Sequence, residues 1–161
     1  MEKSQYGRRD RLIQEKRHDA YRAWEKWPEP TVCKECRALF HGGRWSWDTA
    51  PPEAKEKICP ACQRIADDFP AGILMIKGSF SRHHWPEIHN LIRNTEKQEQ
   101  GEHPMERLMG IVDTPEHKEL TTTGIHLARR IGEVLKHSYQ GELELAYGDG
   151  EQSIRVTWLR D

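Results

Sequence analysis

Two Cys-x-x-Cys pairs constrain this chain more than any other feature of its sequence. The first lies in TVCKEC (31–36) and the second in ICPAC (58–62), and together they hold all four cysteines. Their spacing, C-x2-C-x22-C-x2-C, is slightly longer than the C-x2-C-x15–20-C-x2-C pattern that indicates zinc. A tetrahedral site needs four converging thiolates, and each pair supplies two from one turn. We therefore expect one structural zinc ion, with the following ligands: Cys33, Cys36, Cys59 and Cys62.

The residues between and after the two pairs predict how the pairs meet. ALFHGGRWSW (38–47) has the pattern of a short hairpin that turns at Gly42-Gly43. In CPACQRIADDF, Pro60 favours the first turn of a short helix, so the second pair would bind from a helix N-terminus. A knuckle, a hairpin and a CxxC that opens a helix follow the order of a treble-clef zinc finger. This order fits better than a symmetric zinc ribbon, and His41 is not needed as a ligand.

Other cysteine chemistries remain open at this point. A thioredoxin-type site uses one CxxC at the start of a helix in a βαβ setting, whereas these pairs flank a turn-rich segment. Bridged cysteines are an alternative, and an iron–sulfur cluster would have a spacing unlike the common ferredoxin patterns. Four cysteine ligands leave no open coordination position, so a zinc ion held by them would be structural and not catalytic.

Composition narrows the class of protein. The chain has 161 residues, of which 35% are hydrophobic and 32% charged, so we expect a modest core. No stretch approaches the roughly 18–20 apolar residues that span a bilayer, and the first residues lack the apolar core of a secretory signal. We therefore predict a cytoplasmic protein without a membrane partner, in a compartment where thiols stay reduced.

A charged arm is predicted over residues 1–30, ending at WPEP, where two prolines discourage a helix. Its first 27 residues contain eight Lys/Arg and five Asp/Glu, with two tyrosines and two tryptophans among them. Basic and aromatic side chains in one segment suit contact with phosphates and unstacked bases. A solvated, flexible tail explains the same composition. The arginines that we assign to nucleic-acid binding here are Arg8, Arg9, Arg11 and Arg17.

Residues 31–70 are predicted to form the four-cysteine zinc module and residues 71–161 an α+β domain. In the latter, apolar runs predict strands at 72–80, 106–114 and 119–123, and alternation predicts strands at 141–147 and 153–159. Helices are predicted over 81–100 and 124–138, with Ser81 and Thr123 as N-caps. The resulting order, βαββαββ, matches a ferredoxin-like split βαβ fold whose seventh element extends the antiparallel sheet.

Motifs for catalysis are missing from the sequence. It contains no phosphate-binding GxxxxGK[ST] or GxGxxG and no nucleophile elbow, so we predict neither nucleotide binding nor an enzyme. HHWPEIH contains His84-x-x-Glu87-x-His89, which matches neither HExxH nor HxxEH. On a helix those two histidines would lie about 500° apart around the axis, which does not favour a second metal site.

Arginines outside the arm suggest a basic surface. Together with the arm they could contact nucleic acid, although scattered arginines are also normal on any soluble surface. We predict association with the ribosome or structured RNA, and a protein-binding or scaffold role is the alternative, with a cysteine-based redox protein behind it. The arginines assigned to this surface are Arg37, Arg44, Arg64, Arg129 and Arg130, and Arg155 and Arg160, on the last strand and at its end, could extend it.

The pattern as a whole resembles a known family. The segments that carry the resemblance are VCKEC…ICPACQRI, HPMERLMGI and ELTTTGIHLARRIGEVLKHSYQGELELAYGDGEQSIRVTWLR, which cover most of residues 31–161. They are similar to a small bacterial family of uncharacterised zinc-binding proteins, itself distantly similar to the Nmd-type adaptor of the large ribosomal subunit. The resemblance implies zinc binding by the four cysteines and association with ribosomes or structured RNA. The adaptor has further CxxC pairs that this chain lacks, so its role in nuclear export is not implied.

Overall fold

A computed structural model describes residues 27–148, 150 and 152–161, which form two sheets. Arg8, Arg9, Arg11 and Arg17 of the predicted arm therefore lie outside the described residues. The first sheet has the order β3-β2-β1-β4 and is followed by helix α1. Its elements are β1 (Thr31–Cys33), β2 (Leu39–His41), β3 (Arg44–Ser46), β4 (Lys55–Lys57) and α1 (Pro60–Asp67).

The hairpin and the short helix predicted around the cysteines are present. β2 and β3 pair antiparallel, and the turn between them uses Gly42 and Gly43 at φ 65° and 77°, a region that favours glycine. Pro60 is the first residue of α1, where its missing N–H costs nothing. A parallel pairing of β1 with β4 was not predicted, and it brings the strand that ends at Cys33 beside the chain that leads to Cys59.

The remaining chain builds a five-stranded sheet of order β6-β7-β5-β9-β8. Two helices follow its strand β5 directly, with a break at His84. The elements are β5 (Gly72–Lys77), α2 (Ser79–His83), α3 (Trp85–Glu102), β6 (Leu108–Asp113), β7 (His117–Thr122), α4 (Ile125–Tyr139), β8 (Glu142–Tyr147) and β9 (Ile154–Leu159). The predicted strands follow in the predicted order, the first predicted helix is divided into α2 and α3, and the chain is α+β.

The prediction that this sheet is antiparallel is wrong at one pair. β7 lies between β5 and β6, as a split βαβ requires, but β9 pairs with β5 in parallel and does not extend the sheet at its edge. Ile154, Val156 and Trp158 of β9 are at most 2% exposed. β8 carries the exposed Glu142 and Glu144, so it takes the edge and β9 the interior.

The core of this part lies between the five-stranded sheet and α3 and α4. Leu74 and Ile76 of β5, Val156 and Trp158 of β9 and Ile131 of α4 are among its fully buried members. The apolar spacing that predicted α4 therefore marks its packed face. No helix in the described ranges is both long and apolar enough to cross a membrane.

Both predicted helix caps are wrong. Ser81 lies inside α2, where its hydroxyl donates to the Gly78 carbonyl. The N-cap of α4 is Gly124, not Thr123, and its side chain can make no capping bond. Thr123 instead bonds to Met105 and Arg107, in the segment between α3 and β6, so another residue must satisfy the free N–H groups at the start of α4.

Candidate metal centre

The four cysteines are positioned by two short turns of backbone. Cys33 ends β1, and a tight turn to Ala38 presents Cys36 beside it, with Arg37 at φ 69° completing the reversal. Cys59 is the N-cap of α1, with extended backbone at φ −71° and ψ 161°, and its sulfur accepts the Cys62 N–H at 3.3 Å. The sequence thus folds each CxxC into a knuckle whose two sulfurs point the same way.

The sulfur geometry fits a tetrahedral metal. All four Sγ atoms lie within 4.8 Å of one another, and those of Cys36 and Cys59 are 3.8 Å apart. A tetrahedron with Zn–S distances of about 2.3 Å has an edge of about 3.8 Å, which this separation matches. No disulfide joins the cysteines. Among the described residues, these four form the one cluster of metal-ligating side chains, so the predicted ligand set is brought together.

The thiols ionise unequally in the absence of a metal. Burial opposes ionisation of Cys33, but backbone N–H groups, chiefly those of Cys36 and Cys59, outweigh it and lower the Cys33 pKa to about 7. Burial dominates at Cys59 and Cys62 and raises the pKa of both thiols. Four thiols in one small space cannot all ionise without positive charge nearby, and a metal ion is one source of that charge that this site could hold.

A buried arginine lies directly against the sulfur cluster. Nη2 of Arg107 donates to Cys36 Sγ at 2.9 Å and lies 3.6 Å from Cys59 Sγ, and Nη1 donates to Cys62 Sγ at 3.2 Å. Only 8% of Arg107 is exposed. Burial disfavours its charge, but the bonds to Cys36 and Cys62 raise its pKa above the usual value. The guanidinium thus supplies positive charge where a metal–thiolate cluster is negative.

The chain on either side of Arg107 is anchored in the α+β part. The Arg107 N–H donates to Thr123 Oγ1 at 2.9 Å, and the Thr123 N–H donates back to the Arg107 carbonyl at 2.9 Å. Glu96 of α3 accepts the Leu108 N–H at 2.7 Å. The charge beside the cysteines therefore comes from a fixed point of the five-stranded sheet.

Glu106 provides the missing cap of α4. Its carboxylate accepts the Leu127 N–H at 2.7 Å and is 8% exposed. Burial raises its pKa, although the Leu127 N–H acts in the opposite direction. A Cβ on Gly124 would lie 1.8 Å from Glu106 Oε2, so only glycine leaves room for the carboxylate here. Glu106 thus binds the N-terminus of α4, and the next residue, Arg107, binds the sulfur cluster.

A cleft of about 590 Å³ lies between the cysteine-containing part and α4. Arg44 and Trp45 of β3 line one side, and Arg129 and Arg130 of α4 line the other, with Glu106 between them. Two of these arginines have acidic neighbours in the cleft: Arg129 Nε is 3.5 Å from Glu133 and Arg130 Nε is 3.9 Å from Glu99. The cleft is therefore mixed in charge and lined on one side by an indole ring.

The predicted basic surface is divided by the fold. Three of its arginines, Arg44, Arg129 and Arg130, lie on the one cleft. Arg37 is exposed and pairs with Glu56 at 3.3 Å. Arg64 is 8% exposed, and its guanidinium donates to the Phe69 carbonyl at 3.0 Å.

Sequence reasoning missed Arg107 and Glu106. Their signal is a charged pair at the head of the apolar run in ERLMGIVDT, which we included in the predicted strand. A charged pair at a strand end is ordinary, and the Leu127 N–H and the sulfurs that its side chains contact lie 21 to 71 positions away in the chain. The pattern therefore marks two charged residues at the start of the predicted strand but does not identify the groups that bind them.

Comparison with known proteins found no matching family model, no matching curated protein and no matching solved structure. The resemblance to the Nmd-type adaptor stays a prediction.

Proposed function

We propose that this protein holds one structural zinc ion through Cys33, Cys36, Cys59 and Cys62 in a treble-clef-like module. The observation that carries the proposal is the convergence of four Sγ atoms within 4.8 Å of one another, with the Cys36–Cys59 separation of 3.8 Å close to the edge expected for a zinc tetrahedron. Four thiolates close the coordination sphere and leave no position for substrate or water. The zinc therefore serves folding and not catalysis, in keeping with a non-enzymatic protein.

Native mass spectrometry of the reduced protein tests the metal directly. We expect a mass corresponding to one zinc per chain, and Co²⁺ in its place should give the absorption of a tetrahedral tetrathiolate. Reduced protein without metal after purification in zinc-containing buffer would refute the proposal. Fast-reacting free thiols in the same sample would favour a redox role instead.

We further propose that the cleft and the N-terminal arm associate with structured RNA, as on a ribosomal particle. Arg44, Arg129 and Arg130 meet on one cleft beside Trp45, a combination that suits a phosphate next to an unstacked base. Residues 27–161 carry 17 Lys/Arg and 21 Asp/Glu, so the body of the protein is acidic overall. Binding must then depend on this local arginine group and on the arm, whose net charge is positive.

Sedimentation of cell lysate at low and high salt tests the RNA proposal. We expect salt-sensitive co-migration with ribosomal particles, lost on Arg130→Glu substitution. Arg155→Glu is the matched control, because Arg155 is exposed on β9 and alternates with the buried core residues, so it faces away from α4. Equal sedimentation of both variants would contradict the cleft assignment. Migration with a discrete protein partner would support the scaffold alternative.

A further inference from the structure

We propose that Arg107 is a positioning residue whose guanidinium fixes the metal centre to the five-stranded sheet, so that the metal controls the assembly of the cleft. We call the contact between Arg107 and the cysteine sulfurs the latch. This inference rests on the proposed zinc site. It adds that the metal stabilises not only the cysteine module but also the position of that module against the five-stranded sheet. Through one guanidinium, metal occupancy would determine whether Arg44 and Trp45 face Arg129 and Arg130.

The contacts of Arg107 span both cysteine pairs. Its guanidinium reaches Cys36 of the first pair and Cys59 and Cys62 of the second, at 2.9 to 3.6 Å. No carboxylate pairs with it among the described ion pairs, although the side chain is 8% exposed. A divalent metal with four thiolates carries a net charge of −2, so the cluster is the anion that this buried cation requires.

The other end of the latch is rigid. The Arg107 backbone exchanges two hydrogen bonds with Thr123, and its Nε donates to the Pro104 carbonyl at 2.8 Å. These bonds hold the guanidinium in place and leave its two terminal nitrogens for the sulfurs. Arginine suits this role because its planar fork can reach three acceptors, whereas a lysine amine is a single point.

The cleft lies across the junction that the latch joins. One wall belongs to β3 and the other to α4. A second polar link between the two parts is the Trp47 indole, which donates to the Gln100 carbonyl at 2.7 Å and lies 5.7 Å from the Arg107 guanidinium. Trp47 is 40% exposed, so its bond competes with water and adds little hold of its own. The arginine–cluster contact is thus the more buried of these two polar links, and Met105 packs against the cysteine cluster beside it.

Two substitutions of Arg107 in the zinc-loaded 161-residue chain test the latch. Arg107→Lys keeps the charge with fewer donors, and Arg107→Met removes both the charge and the donors. Arg155→Lys is the control. We expect both Arg107 variants to carry one zinc and to release it to a chelator faster, about tenfold for Lys and more for Met, the range found when outer-sphere partners of metal ligands are lost. Release at the rate of Arg155→Lys would overturn the proposal.

A spectroscopic readout separates hydrogen bonding to the sulfurs from general loosening. In Co²⁺-substituted protein, N–H donors stabilise the sulfur lone pairs and raise the energy of the sulfur-to-cobalt charge-transfer band. We expect that band to shift to lower energy in Arg107→Met, to shift less in Arg107→Lys and to stay in place in Arg155→Lys. An unshifted band in Arg107→Met would overturn the assignment.

Metal removal from the wild-type chain provides a test that requires no variant to fold. We expect chelation to accelerate hydrogen exchange in residues 104–108 and at the start of α4, while β5 and β9 in the sheet core keep their protection. Unchanged exchange in 104–108 would overturn the latch even where the cysteine module itself loosens. A wild-type chain that binds no zinc would refute the proposed metal site, which is a different result from zinc bound without the latch.

Discussion

Replacing Cys59 by serine isolates the metal from the local structure around it. Cys59 is fully buried, provides one of the four sulfurs and is the N-cap of α1. Serine is a preferred N-cap residue, so its hydroxyl can still accept the N–H of residue 62. It is a poor zinc ligand, however, since zinc sites in proteins use thiolate, imidazole or carboxylate. Cys59→Ser therefore removes a ligand while keeping the cap.

The expected magnitude follows from how small the buried core of the module is. The cluster around the sulfurs contains Cys33, Cys59 and Ala61, of which two are ligands, and Val32, Ala38 and Leu39 are the other buried apolar residues of 31–70. A structural zinc ion contributes about 10–16 kcal/mol in small zinc domains, so its loss in Cys59→Ser should exceed the stability that the buried residues of the module provide on their own. We therefore expect β1 and α1 to open and to exchange hydrogen at least about a hundredfold faster than in the wild type, which corresponds to about 3 kcal/mol at about 1.4 kcal/mol per factor of ten.

Hydrogen exchange with native mass spectrometry measures both halves of this prediction. The five-stranded sheet should keep its protection in Cys59→Ser, because it has a separate cluster of twelve buried residues. His41→Ala is the control: His41 lies on the hairpin near the cysteines but outside the sulfur cluster, and its replacement should leave one zinc bound. Cys59→Ser protein that still carries one zinc, with β1 exchanging at the wild-type rate, would refute the reasoning.

Three further predictions concern the α+β part. Gly72→Ala should lower the unfolding free energy measured in urea by about 1–3 kcal/mol, because the added Cβ would lie 2.3 Å from Thr122 Oγ1 and 2.6 Å from Ala128 Cβ. Gly101→Ala is its control, since a Cβ there meets nothing within 4 Å and should not destabilise the protein. Glu106→Gln should change how the unfolding free energy depends on pH. Because the folded-state pKa of Glu106 is raised, its contribution to stability is fully present below the unfolded pKa of about 4.5 and is lost as pH rises through the folded pKa. The difference in unfolding free energy between wild type and variant should therefore shrink as pH rises, and a constant difference would contradict this. Trp158→Phe should cost about 1–3 kcal/mol, since the Gln140 carbonyl loses the indole donor at 2.7 Å, and thermal unfolding will show whether it does.

The elements of the fold were largely predictable because their signals are local. The apolar spacing of α4 and the alternation in β8 and β9 each depend on residues within one segment. Cysteine pairs are similarly informative, since a chain that holds only four cysteines in two CxxC turns has few ways to use them. The helix caps were wrong because the competing groups come from elsewhere: Glu106 caps α4 from the segment between α3 and β6, which left Thr123 free to bond to Arg107.

Strand order was harder to predict than strand identity. β9 enters between β5 and β8 because its alternate residues Ile154, Val156 and Trp158 need a covered position more than the acidic β8 does. Which strand takes the covered position depends on where a helix packs on the sheet. The apolar face of α4 covers β9 only in the folded chain, so the sequence of the two strands does not decide their order. A hairpin pattern specifies that two strands pair but not which of them is central.

The ligand set of the metal centre was readable from the chain because ligand type and spacing within each CxxC turn are local properties. Arg107 as the partner of three sulfurs, and the meeting of Arg44 with Arg129 and Arg130 on one cleft, depend on contacts between segments far apart in sequence. The physical reason is that a thiolate pair is formed by one turn of backbone. The positive charge beside the thiolates, in contrast, depends on which side chain lies within about 3 Å of the sulfurs once the two sheets have packed.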